Sequence, residues 1–484
     1  MQLEALIRAL APDKLAGLAQ VEITDLAYDT RRVVDGSLFF CVRGSQADGH
    51  DFAGAAVEAG AAALVVERHV DVDPALPQLV VPDARAAMAV AADVFFGEPT
   101  KQLEIAGVTG TNGKTTTTFL LRSILEAAGR RPGLVGTVEW VVGGVSRPAP
   151  HTTPEAIDLQ RLFREMVDAG DESAAVEASS HGSALRRLDC VRFGTLVFTN
   201  LSQDHLDLHG SMDEYFQAKR RLFVGPEPPP AAVNIGDEAG RRLAGELGAA
   251  HRAPLVTYGL AADAEVRPVK LELGVWGSRF RAAGIQLDTR LRGPFNVENV
   301  LGAVAAALLL DVHEDAIAEG VAAVGGVPGR FEAIDEGQEF AAIVDYAHTP
   351  DSLDVVLQAA RELGDGRVIV VFGAGGDRDR GKRPLMGRVA RERADVLIVT
   401  SDNPRSEEPL AIIQDVVQGT GTDVEIDPDR RSAIARAVSL AKPGDVVVVA
   451  GKGHEQGQEV AGVVYPFDDR DVLRVALRGS KDGM

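Results

Sequence analysis

The strongest indication of the fold is the stretch Val108-Thr-Gly-Thr-Asn-Gly-Lys-Thr-Thr116. The apolar run 103–109 predicts a buried strand that leads into it. Gly110 and Gly113 predict a tight turn, because glycine alone adopts left-handed backbone angles at no steric cost. The residues that follow predict a helix over 114–128. A strand, a glycine-rich turn and a helix in this order indicate a phosphate-binding loop.

The chemistry of this loop indicates a nucleoside triphosphate. Its backbone N–H groups would point at phosphate oxygens, and the helix N-terminus adds positive potential. Lys114 is placed to reach the terminal phosphates and the Thr115 hydroxyl to reach Mg²⁺. The strict motif would have glycine where Val108 stands, so Gly110 supplies the turn instead. The alternative is a tight strand–helix turn with a chance Lys-Thr pair.

A second glycine-rich segment, Gly373-Ala-Gly-Gly-Asp-Arg378, does not fit the dinucleotide fingerprint. That fingerprint needs a small residue at its sixth position, where this chain has Arg378. We therefore expect neither a nicotinamide nor a flavin cofactor.

The chain as a whole alternates short apolar runs with longer helical patterns, which predicts an α/β fold with largely parallel sheets. At about 150 residues per domain, 484 residues suggest three domains. We place them at 1–100, 101–328 and 329–484, the last as a doubly wound, Rossmann-like domain. The predicted strands are 37–42, 63–67, 103–109, 174–178, 195–199, 231–235, 341–346, 367–372, 395–400 and 445–450. The predicted helices include 51–59 and 84–96, and the segment 266–291 predicts a small antiparallel sheet.

Composition excludes several classes of protein. The formal net charge of −21 argues against a nucleic-acid coat or a polybasic membrane anchor. Cys41 and Cys190 show no metal-binding spacing, so a reducing compartment is the simplest interpretation. No apolar run reaches the roughly 18 residues that a membrane span needs, and the first residues lack the apolar segment of a signal peptide. We expect a cytoplasmic monomer that binds no nucleic acid and has no membrane span.

Several motifs occur in a fixed order along the chain. They are Gly110-Thr-Asn-Gly-Lys-Thr-Thr116, Glu177-Ala-Ser-Ser-His-Gly182, Asn200-Leu-Ser-Gln-Asp-His-Leu-Asp207, Asn296-Val-Glu-Asn299, Gly329-Arg-Phe-Glu332 and Asp345-Tyr-Ala-His-Thr-Pro350. With them the chain closely resembles the Mur ligases of peptidoglycan synthesis over nearly its whole length. Among these ligases it is most similar to those that add the third residue of the peptide. The resemblance implies three domains, with a central P-loop ATPase domain and a C-terminal Rossmann-like domain.

The resemblance also implies a reaction. ATP would phosphorylate the D-glutamate side-chain carboxylate of UDP-N-acetylmuramoyl-L-alanyl-D-glutamate. An amine of a diamino acid would then attack the acyl phosphate, and phosphate would leave. A carboxylate is a poor acyl donor until its oxygen becomes such a leaving group, so the tasks left to the protein are positioning and charge neutralisation.

The family's ATP contacts carry over to one set of positions. They are Gly110, Thr111, Asn112, Gly113, Lys114, Thr115, Thr116, Asn296, Asn299, Arg330 and Asp345. Taken singly, some of these have simpler explanations: Asn296 as a helix N-cap and Arg330 as a linker cation.

The family's contacts to the UDP-muramyl dipeptide fall in the first and second predicted domains. They are Thr30, Ser45, Gln46, Ala47, His151, Thr152, Thr153, Ser179 and Arg187. Leu185 stands where some members have glutamine, so that contact is lost or replaced.

A magnesium site and a modified lysine are also implied, with Thr115, Glu177, His205 and Lys219 as the metal contacts. Glu177 ends a predicted strand, where the alternative is a solvated acid. His205 alone would be a hydrogen-bonded structural residue. Lys219 shares a predicted helical face with Phe216 and Phe223, and partial burial and neighbouring cations favour its neutral amine. The resemblance implies that Lys219 reacts with CO₂ to form a carbamate; the alternative is a lysine that extends its amine to solvent.

The incoming amino acid is indicated by Asp402-Asn-Pro-Arg405. Arg405 offers a planar fork for a carboxylate, and meso-2,6-diaminopimelate has one carboxylate more than lysine. Family members that add diaminopimelate have this motif. The implied contacts are Arg378, Asp402, Asn403, Pro404, Arg405, Gly451 and Glu455. The alternative is a plain turn into a helix at Glu408.

Other functions stay open at this point. The chain could add L-lysine, or it could resemble folylpolyglutamate synthase, which shares the architecture. It could also be a nucleotide-driven switch that performs no ligation. Motif 402–405 and the first-domain segments favour the diaminopimelate ligase, and free and amidated diaminopimelate are not distinguished.

Overall fold

The computed structural model describes residues 1–17, 20–44, 47–274, 277–421 and 424–481. The chain forms two compact units, and each is described by itself. The first comprises Met1–Thr109, Gly129–Leu196 and Ala218–Pro230, and the second Gly110–Ala128, Val197–Gln217 and Ala231–Met484. In the part of the chain described, no helix is both long and apolar enough to cross a membrane. The domain boundaries near residues 100 and 328 stay a prediction.

The elements are labelled in chain order. The α-helices α1–α16 are Leu3–Leu10, Ala53–Glu58, Ala84–Phe95, Lys114–Ala127, Ala156–Asp168, Ser180–Ala184, Leu206–His209, Met212–Arg220, Glu238–Ala250, Pro294–Leu309, Glu314–Ala323, Pro350–Arg361, Lys382–Arg393, Pro409–Thr420, Arg430–Leu440 and Asp469–Lys481. The strands β1–β12 are Lys14–Ala16, Asp25–Ala27, Ser37–Phe40, Ala61–Val66, Gln78–Val80, Glu104–Thr109, Pro132–Val135, Glu139–Val142, Val145–Pro148, Ser173–Glu177, Phe193–Phe198 and Ala231–Asn234. The strands β13–β24 are Leu255–Tyr258, Val269–Gly274, Gly277–Ala282, Ile285–Thr289, Glu332–Ala333, Ala341–Asp345, Val368–Phe372, Val396–Val399, Glu425–Ile426, Val446–Ala450, Gly457–Val460 and Val463–Pro466.

The first unit contains two sets of strands. One is a sheet in the order β1-β5-β4-β3-β2, parallel except for β1. Its strand β3 is buried on both faces, because Leu38 and Phe40 pack in one apolar cluster and Phe39 in another. The other set runs β6-β10-β7-β8-β9, with β6, β10 and β7 parallel. Glu177 pairs with Val108 at the carboxyl ends of β10 and β6.

The second unit contains a doubly covered sheet in the order β17-β18-β22-β19-β20-β21. It is parallel except for β17, and its two faces carry separate apolar clusters, with Val370 in one and Val371 in the other. Such a sheet presents ligand-binding loops at the carboxyl ends of its strands. Asp345 and Ala450 are the last residues of β18 and β22, so the segments predicted to bind ligands follow these ends.

The predicted strands are confirmed with small shifts at their ends, as is the antiparallel sheet β14-β15-β16. The helix predicted over 51–59 is a 3₁₀ turn, Gly49–Phe52, followed by α2. Helix α8 ends at Arg220, so Phe223 does not share its helical face with Lys219. The interpretation of Asn296 as an N-cap is wrong, because Pro294 opens α10 and Gly293 is its N-cap.

A fully buried ion pair lies next to the carboxyl ends of β20 and β22. Arg430 and Asp469 are both inaccessible to solvent, with two N–O distances of 2.7 and 2.6 Å. Arg430 also donates to the carbonyls of Ser401 (3.3 Å) and Ala450 (2.9 Å). These carbonyls immediately precede Asp402 and Gly451, so one guanidinium holds together both segments that the sequence assigns to the amino acid.

Replacing Arg430 with methionine is expected to lower the free energy of unfolding by about 3–5 kcal/mol, since it leaves the Asp469 carboxylate buried without its cation. Urea denaturation followed by circular dichroism measures the effect. The matched control is Arg436→Met on the same helix, whose ion pair with Glu425 is half exposed and worth less than about 1 kcal/mol. Equal losses in the two variants would contradict the expectation.

Candidate active site

The predicted phosphate loop has the expected local structure. Strand β6 ends at Thr109, and α4 begins at Lys114 directly after Gly113, whose φ is +87°. The Lys114 ammonium folds back over the loop and donates to the carbonyls of Gly110 (3.0 Å) and Thr111 (2.7 Å). The positive charge therefore lies over the turn itself. Phosphate binding by these residues stays a prediction.

The segment after β11 fixes the shape of this loop. The Thr199 hydroxyl donates to the Asn112 carbonyl at 2.6 Å, and the Asn200 side-chain oxygen accepts from the Asn112 N–H at 2.9 Å. A Cβ on Gly110 would lie 1.8 Å from Thr199 Oγ1, so only glycine fits there. Sequence reasoning included Asn200 in a family motif but missed Thr199, whose only signal was its place at the end of a predicted strand.

The two asparagines of α10 lie beside the loop. Asn299 Nδ2 donates to Asn296 Oδ1 at 2.9 Å, and Asn296 Nδ2 donates to the Arg292 carbonyl at 2.8 Å. A Cβ on Gly113 would lie 2.3 Å from Asn299 Oδ1. The structure thus brings Asn299 against the loop, and Asn296 fixes the orientation of its amide.

Replacing Gly113 with alanine is expected to weaken ATP binding by at least about tenfold, because the new Cβ would displace Asn299 and strain the loop by about 1–3 kcal/mol. Isothermal titration with a non-hydrolysable ATP analogue measures the affinity. The matched control is Gly129→Ala just beyond α4, where φ is +77° and no atom lies within 4 Å of the added Cβ. Equal ATP affinity in the two variants would contradict the expectation.

Arg330 connects the loop with the segment after β18. Its guanidinium donates to Thr115 Oγ1 at 3.1 Å and stacks over the Tyr346 ring at 4.3 Å. Asp345 is buried and accepts from the N–H groups of Phe331 (2.6 Å) and Ala347 (2.7 Å). Burial raises the pKa of Asp345 to about 6, against the lowering effect of the nearby Arg330 charge. Arg330 and Asp345 are therefore brought together, as their assignment to one ligand requires.

Asp204 and His205 precede the short helix α7. His205 has a left-handed φ of +52°, and its Nε2 lies 3.3 Å from an Asp204 oxygen. Burial alone would raise the pKa of Asp204, but the charges of His348, His205 and Lys382 outweigh it and hold that pKa below its ordinary value. A carboxylate kept ionised beside His205 fits a cation-rich or metal-binding environment.

In the first unit, several residues assigned to the dipeptide form one hydrogen-bonded group. Thr153 Oγ1 donates to the Glu177 carbonyl at 2.7 Å and accepts from the Ser179 N–H at 3.2 Å. The Arg187 guanidinium donates to the Thr153 carbonyl at 2.9 Å. The Thr152 hydroxyl lies 3.0 Å from that of Thr137. The structure therefore brings Thr152, Thr153, Ser179 and Arg187 together, whereas the side chain of His151 is exposed.

Two residues of this group were missed from the sequence. Thr137 donates to both oxygens of the Glu177 carboxylate, through its N–H (2.8 Å) and its hydroxyl (3.0 Å). Glu155 bridges Arg187 (2.8 Å) and Arg85 (2.9 Å). Neither belongs to a motif, and their partners are distant in sequence, so no local signal identified them.

The predicted UDP segments are described in part. Thr30 opens a 3₁₀ turn, Thr30–Arg32, that Asp29 caps. Ala47 is exposed, and its carbonyl accepts from the Gly44 N–H at 2.9 Å. The predictions for Ser45 and Gln46 lie outside the described residues.

Two simpler explanations of the predicted metal residues are wrong. Glu177 is fully buried, so it is not a solvated acid at a strand end. Lys219 is 1% exposed, so its amine does not extend to solvent. Among the described residues, no group of three or more His, Cys, Asp or Glu side chains is arranged to hold a metal. The predicted set, which relies on a threonine hydroxyl and a modified lysine, stays a prediction.

The amino-acid residues meet at the carboxyl ends of β20 and β22. Asn403 Nδ2 donates to Glu455 Oε2 at 2.8 Å. A Cβ on Gly451 would lie 2.4 Å from Asp402 Oδ2, so glycine permits this close approach. Arg405, at φ +53°, donates to the Gly376 carbonyl at 2.6 Å. Helix α14 begins at Pro409 rather than Glu408.

The loop after β19 is tied to the same segment. A Cβ on Gly375 would lie 3.1 Å from an Arg405 nitrogen and 3.9 Å from Arg378 Cγ, so both arginines border this glycine. Arg383 is fully buried and donates to Glu407 at 2.7 Å and to the Gly375 carbonyl at 3.2 Å. This guanidinium holds the pKa of Glu407 down at about 2. The two loops are therefore fixed to each other by charge-assisted bonds.

Comparisons with known proteins agree with this arrangement. Three family models match: the Mur ligase family catalytic domain over 22–109, the Mur ligase middle domain over 108–307, and the Mur ligase glutamate ligase domain over 329–453. The chain is similar to the UDP-N-acetylmuramoyl-L-alanyl-D-glutamate--2,6-diaminopimelate ligases of Solibacter usitatus (46% identity, 98% of this chain and 96% of the relative) and Geobacillus kaustophilus (47%, 94% and 95%). A solved structure of a ligase with the same name is 34% identical, with a TM-score of 0.68 and 95% of each chain covered.

Proposed function

Because this chain belongs to the Mur ligase family of ATP-dependent, amide-forming ligases, we propose that it joins meso-2,6-diaminopimelate to the D-glutamate γ-carboxylate of UDP-N-acetylmuramoyl-L-alanyl-D-glutamate. The similar ligases named above support this substrate pair. The expected α/β architecture, with its parallel sheets, is confirmed by the structure and by the solved relative.

The proposed chemistry has two steps. A γ-carboxylate oxygen attacks the terminal phosphorus of ATP, the bond from that phosphorus to the bridging oxygen of ADP breaks, and an acyl phosphate and ADP are formed. The amine nitrogen then attacks the acyl carbon, the bond from carbon to the phosphate oxygen breaks, and the nitrogen loses a proton as the amide forms. Both steps place negative charge on phosphate oxygens, so preorganised cations and N–H groups are the main aid that the protein can give.

The residues around the phosphate loop suit this task. Lys114 lies over the turn, and Arg330 reaches the Thr115 hydroxyl from the segment before β17. Mg²⁺ prefers hydroxyl, carboxylate and phosphate oxygens, so the Thr115 hydroxyl fits as a ligand. When bound, the metal would neutralise charge on the phosphates that Lys114 and Arg330 also contact.

The second part of the proposal is that Lys219 is modified to a carbamate. The nitrogen of a neutral amine forms a bond to the carbon of CO₂ and loses one proton, and the product is a carbamate with one negative charge. Burial at 1% exposure is compatible with this role, because it keeps the Lys219 amine out of bulk water. The carbamate would serve as an oxygen ligand in place of a side-chain carboxylate.

The choice of amino acid rests on one observation, the arrangement of residues 402–405. Arg405 and Arg378 border Gly375, while Asn403 is bonded to Glu455. Cations on these loops suit the carboxylate of a zwitterionic amino-acid end, and the Glu455 carboxylate suits its ammonium group. L-lysine lacks that second carboxylate and would leave Arg405 without a ligand charge.

Phosphate release from ATP tests the proposal directly. We expect release only when both the UDP-muramyl dipeptide and diaminopimelate are present, with a product heavier than the dipeptide by the added residue in mass spectrometry. A preference for lysine would support the proposed ligase activity but would overturn the assignment of diaminopimelate as the amino acid. Release without either substrate would favour the nucleotide switch.

Three further expectations belong to the proposal. The first domain binds the UDP-sugar, the second ATP and the third the amino acid, with boundaries near residues 100 and 328. The enzyme acts in the cytoplasm, where its nucleotide substrates are made. It acts as a monomer, which light scattering of the purified protein would test.

A further inference from the structure

Lys452 is a fully buried lysine to which the sequence analysis assigned no role. It lies directly after β22, between Gly451 (φ +117°) and Gly453 (φ +56°). Its ammonium donates to Asn403 Oδ1 at 2.9 Å and to Glu455 Oε2 at 3.0 Å. Both partners are side chains that we assign to the incoming amino acid.

These bonds determine which way the Asn403 amide faces. Its Oδ1 accepts from the Lys452 ammonium and from the Glu459 N–H at 3.0 Å, and both groups can only donate. The amide nitrogen is therefore directed to Glu455 Oε2, at 2.8 Å. A rotated amide would place its NH₂ group against two donors.

Glu455 is fixed by the same group. Its Oε2 accepts from both Lys452 and Asn403, while about a third of the side chain is exposed. A carboxylate can accept several hydrogen bonds, so Oε1 keeps capacity for a ligand ammonium. One carboxylate oxygen is thus used for orientation and the other is available for binding.

Stability alone does not explain a cation in this position. Burying an ammonium costs free energy that its partners only offset, and apolar residues of similar volume are often as stable or more so. Both hydrogen-bond partners of this cation, Asn403 and Glu455, are instead side chains assigned to the amino acid. The geometry therefore points to a role in the site itself.

We propose that Lys452 is a positioning residue for the incoming amino acid, which holds the Asn403 amide and the Glu455 carboxylate in the orientation that receives an α-ammonium group. The proposal rests on the proposed function of those two side chains. Among the bonds described, Lys452 donates to neither the phosphate loop nor Arg330, so we expect its larger effect on the amino acid.

The first test is Lys452→Met, which keeps the length of the side chain and removes its charge. We expect the KM for diaminopimelate to rise by about tenfold to a hundredfold, as is usual when a residue that orients a ligand-binding group is lost. The KM for ATP should stay within about twofold of the original. An unchanged KM for diaminopimelate in the folded variant would overturn the proposal.

Two comparisons separate positioning from a general structural role. Arg367→Met removes an ion pair with Asp445 at the opposite, amino ends of β19 and β22, and it should lower stability with no change in either KM. In a Glu455→Gln background, Lys452→Met should add less than about threefold to the KM, since both changes act through one group. Full additivity, or a parallel rise of both KM values, would assign Lys452 a structural role only.

If Lys452→Met does not fold, Lys452→Gln takes its place, because glutamine keeps a donor without the charge, and the same thresholds apply. All variants are assayed with the diamino acid that the unaltered enzyme accepts. A wild-type preference for lysine therefore overturns the proposed substrate but leaves the role of Lys452 to be measured. An enzyme that accepts no diamino acid overturns both.

Discussion

Replacing Lys219 with alanine is expected to slow ligation by about a hundredfold to a thousandfold, the loss usual when a preorganised charge is removed from an active site. The residue is 1% exposed, and Phe223, in the same unit, is equally buried. A carbamate would give this side chain a negative charge, whereas an unmodified lysine is either neutral or positive. Amide formation is measured with saturating ATP, dipeptide and diaminopimelate, after circular dichroism has shown that the variant is folded.

Controls distinguish loss of the carbamate from loss of a buried side chain. Lys219→Arg should be as inactive as the alanine variant, because a guanidinium is always charged and does not capture CO₂. Lys442→Ala, at an exposed lysine, should be fully active. Added bicarbonate should not restore Lys219→Ala, whereas a short carboxylate such as acetate should restore part of its activity. Near-normal activity of Lys219→Ala would refute the assignment.

Replacing Arg405 with alanine is expected to raise the KM for diaminopimelate by about a hundredfold, since losing one partner of a buried charge pair costs about 2–5 kcal/mol. The Arg405 side chain is about a quarter exposed and is oriented by the Gly376 carbonyl and by Glu459. It touches none of the residues assigned to ATP in the bonds described, so the KM for ATP should change little. Steady-state kinetics with each substrate varied in turn measure both effects.

Arg380→Ala provides the matched control. Arg380 is 71% exposed and pairs with Glu407 in the neighbouring loop, so its removal takes away an equal charge without touching the predicted ligand. Arg405→Lys should recover only part of the loss, because lysine keeps the charge but not the planar fork. An equal loss for ATP and diaminopimelate, or no loss at all, would contradict the assignment.

Much of the fold was predictable because its strands are apolar and buried on both faces. Val368–Phe372 and Val446–Ala450 read as continuous apolar runs, which is typical of a parallel sheet covered by helices. Eleven strands were missed, among them the buried β7 and the exposed β9 and β24. Val145–Pro148 and Val463–Pro466 are exposed along their length, so burial imposed no alternation on their sequences.

The candidate site was predictable where a backbone motif determines it and not where side chains from distant segments meet. Glycines and Lys114 mark the phosphate loop in one short stretch. The bond from Lys452 to Asn403 joins residues 49 positions apart, and neither sequence neighbourhood indicates the other. The simpler alternative for Asn296, a helix N-cap, is excluded because Pro294 fixes an earlier start of the helix.

The buried pair of Arg430 and Asp469 has a consequence for how the enzyme can be altered. Arg430 donates to the carbonyls of both Ser401 and Ala450. These bonds fix the distance between the two backbone segments independently of the side chains in residues 402–405. Substitutions in residues 402–405 can therefore change which amino acid is accepted while the bonds from Arg430 to the Ser401 and Ala450 carbonyls are kept. The groups that select the amino acid and the ion pair that stabilises the backbone beneath them are therefore different residues, so each can be changed without the other.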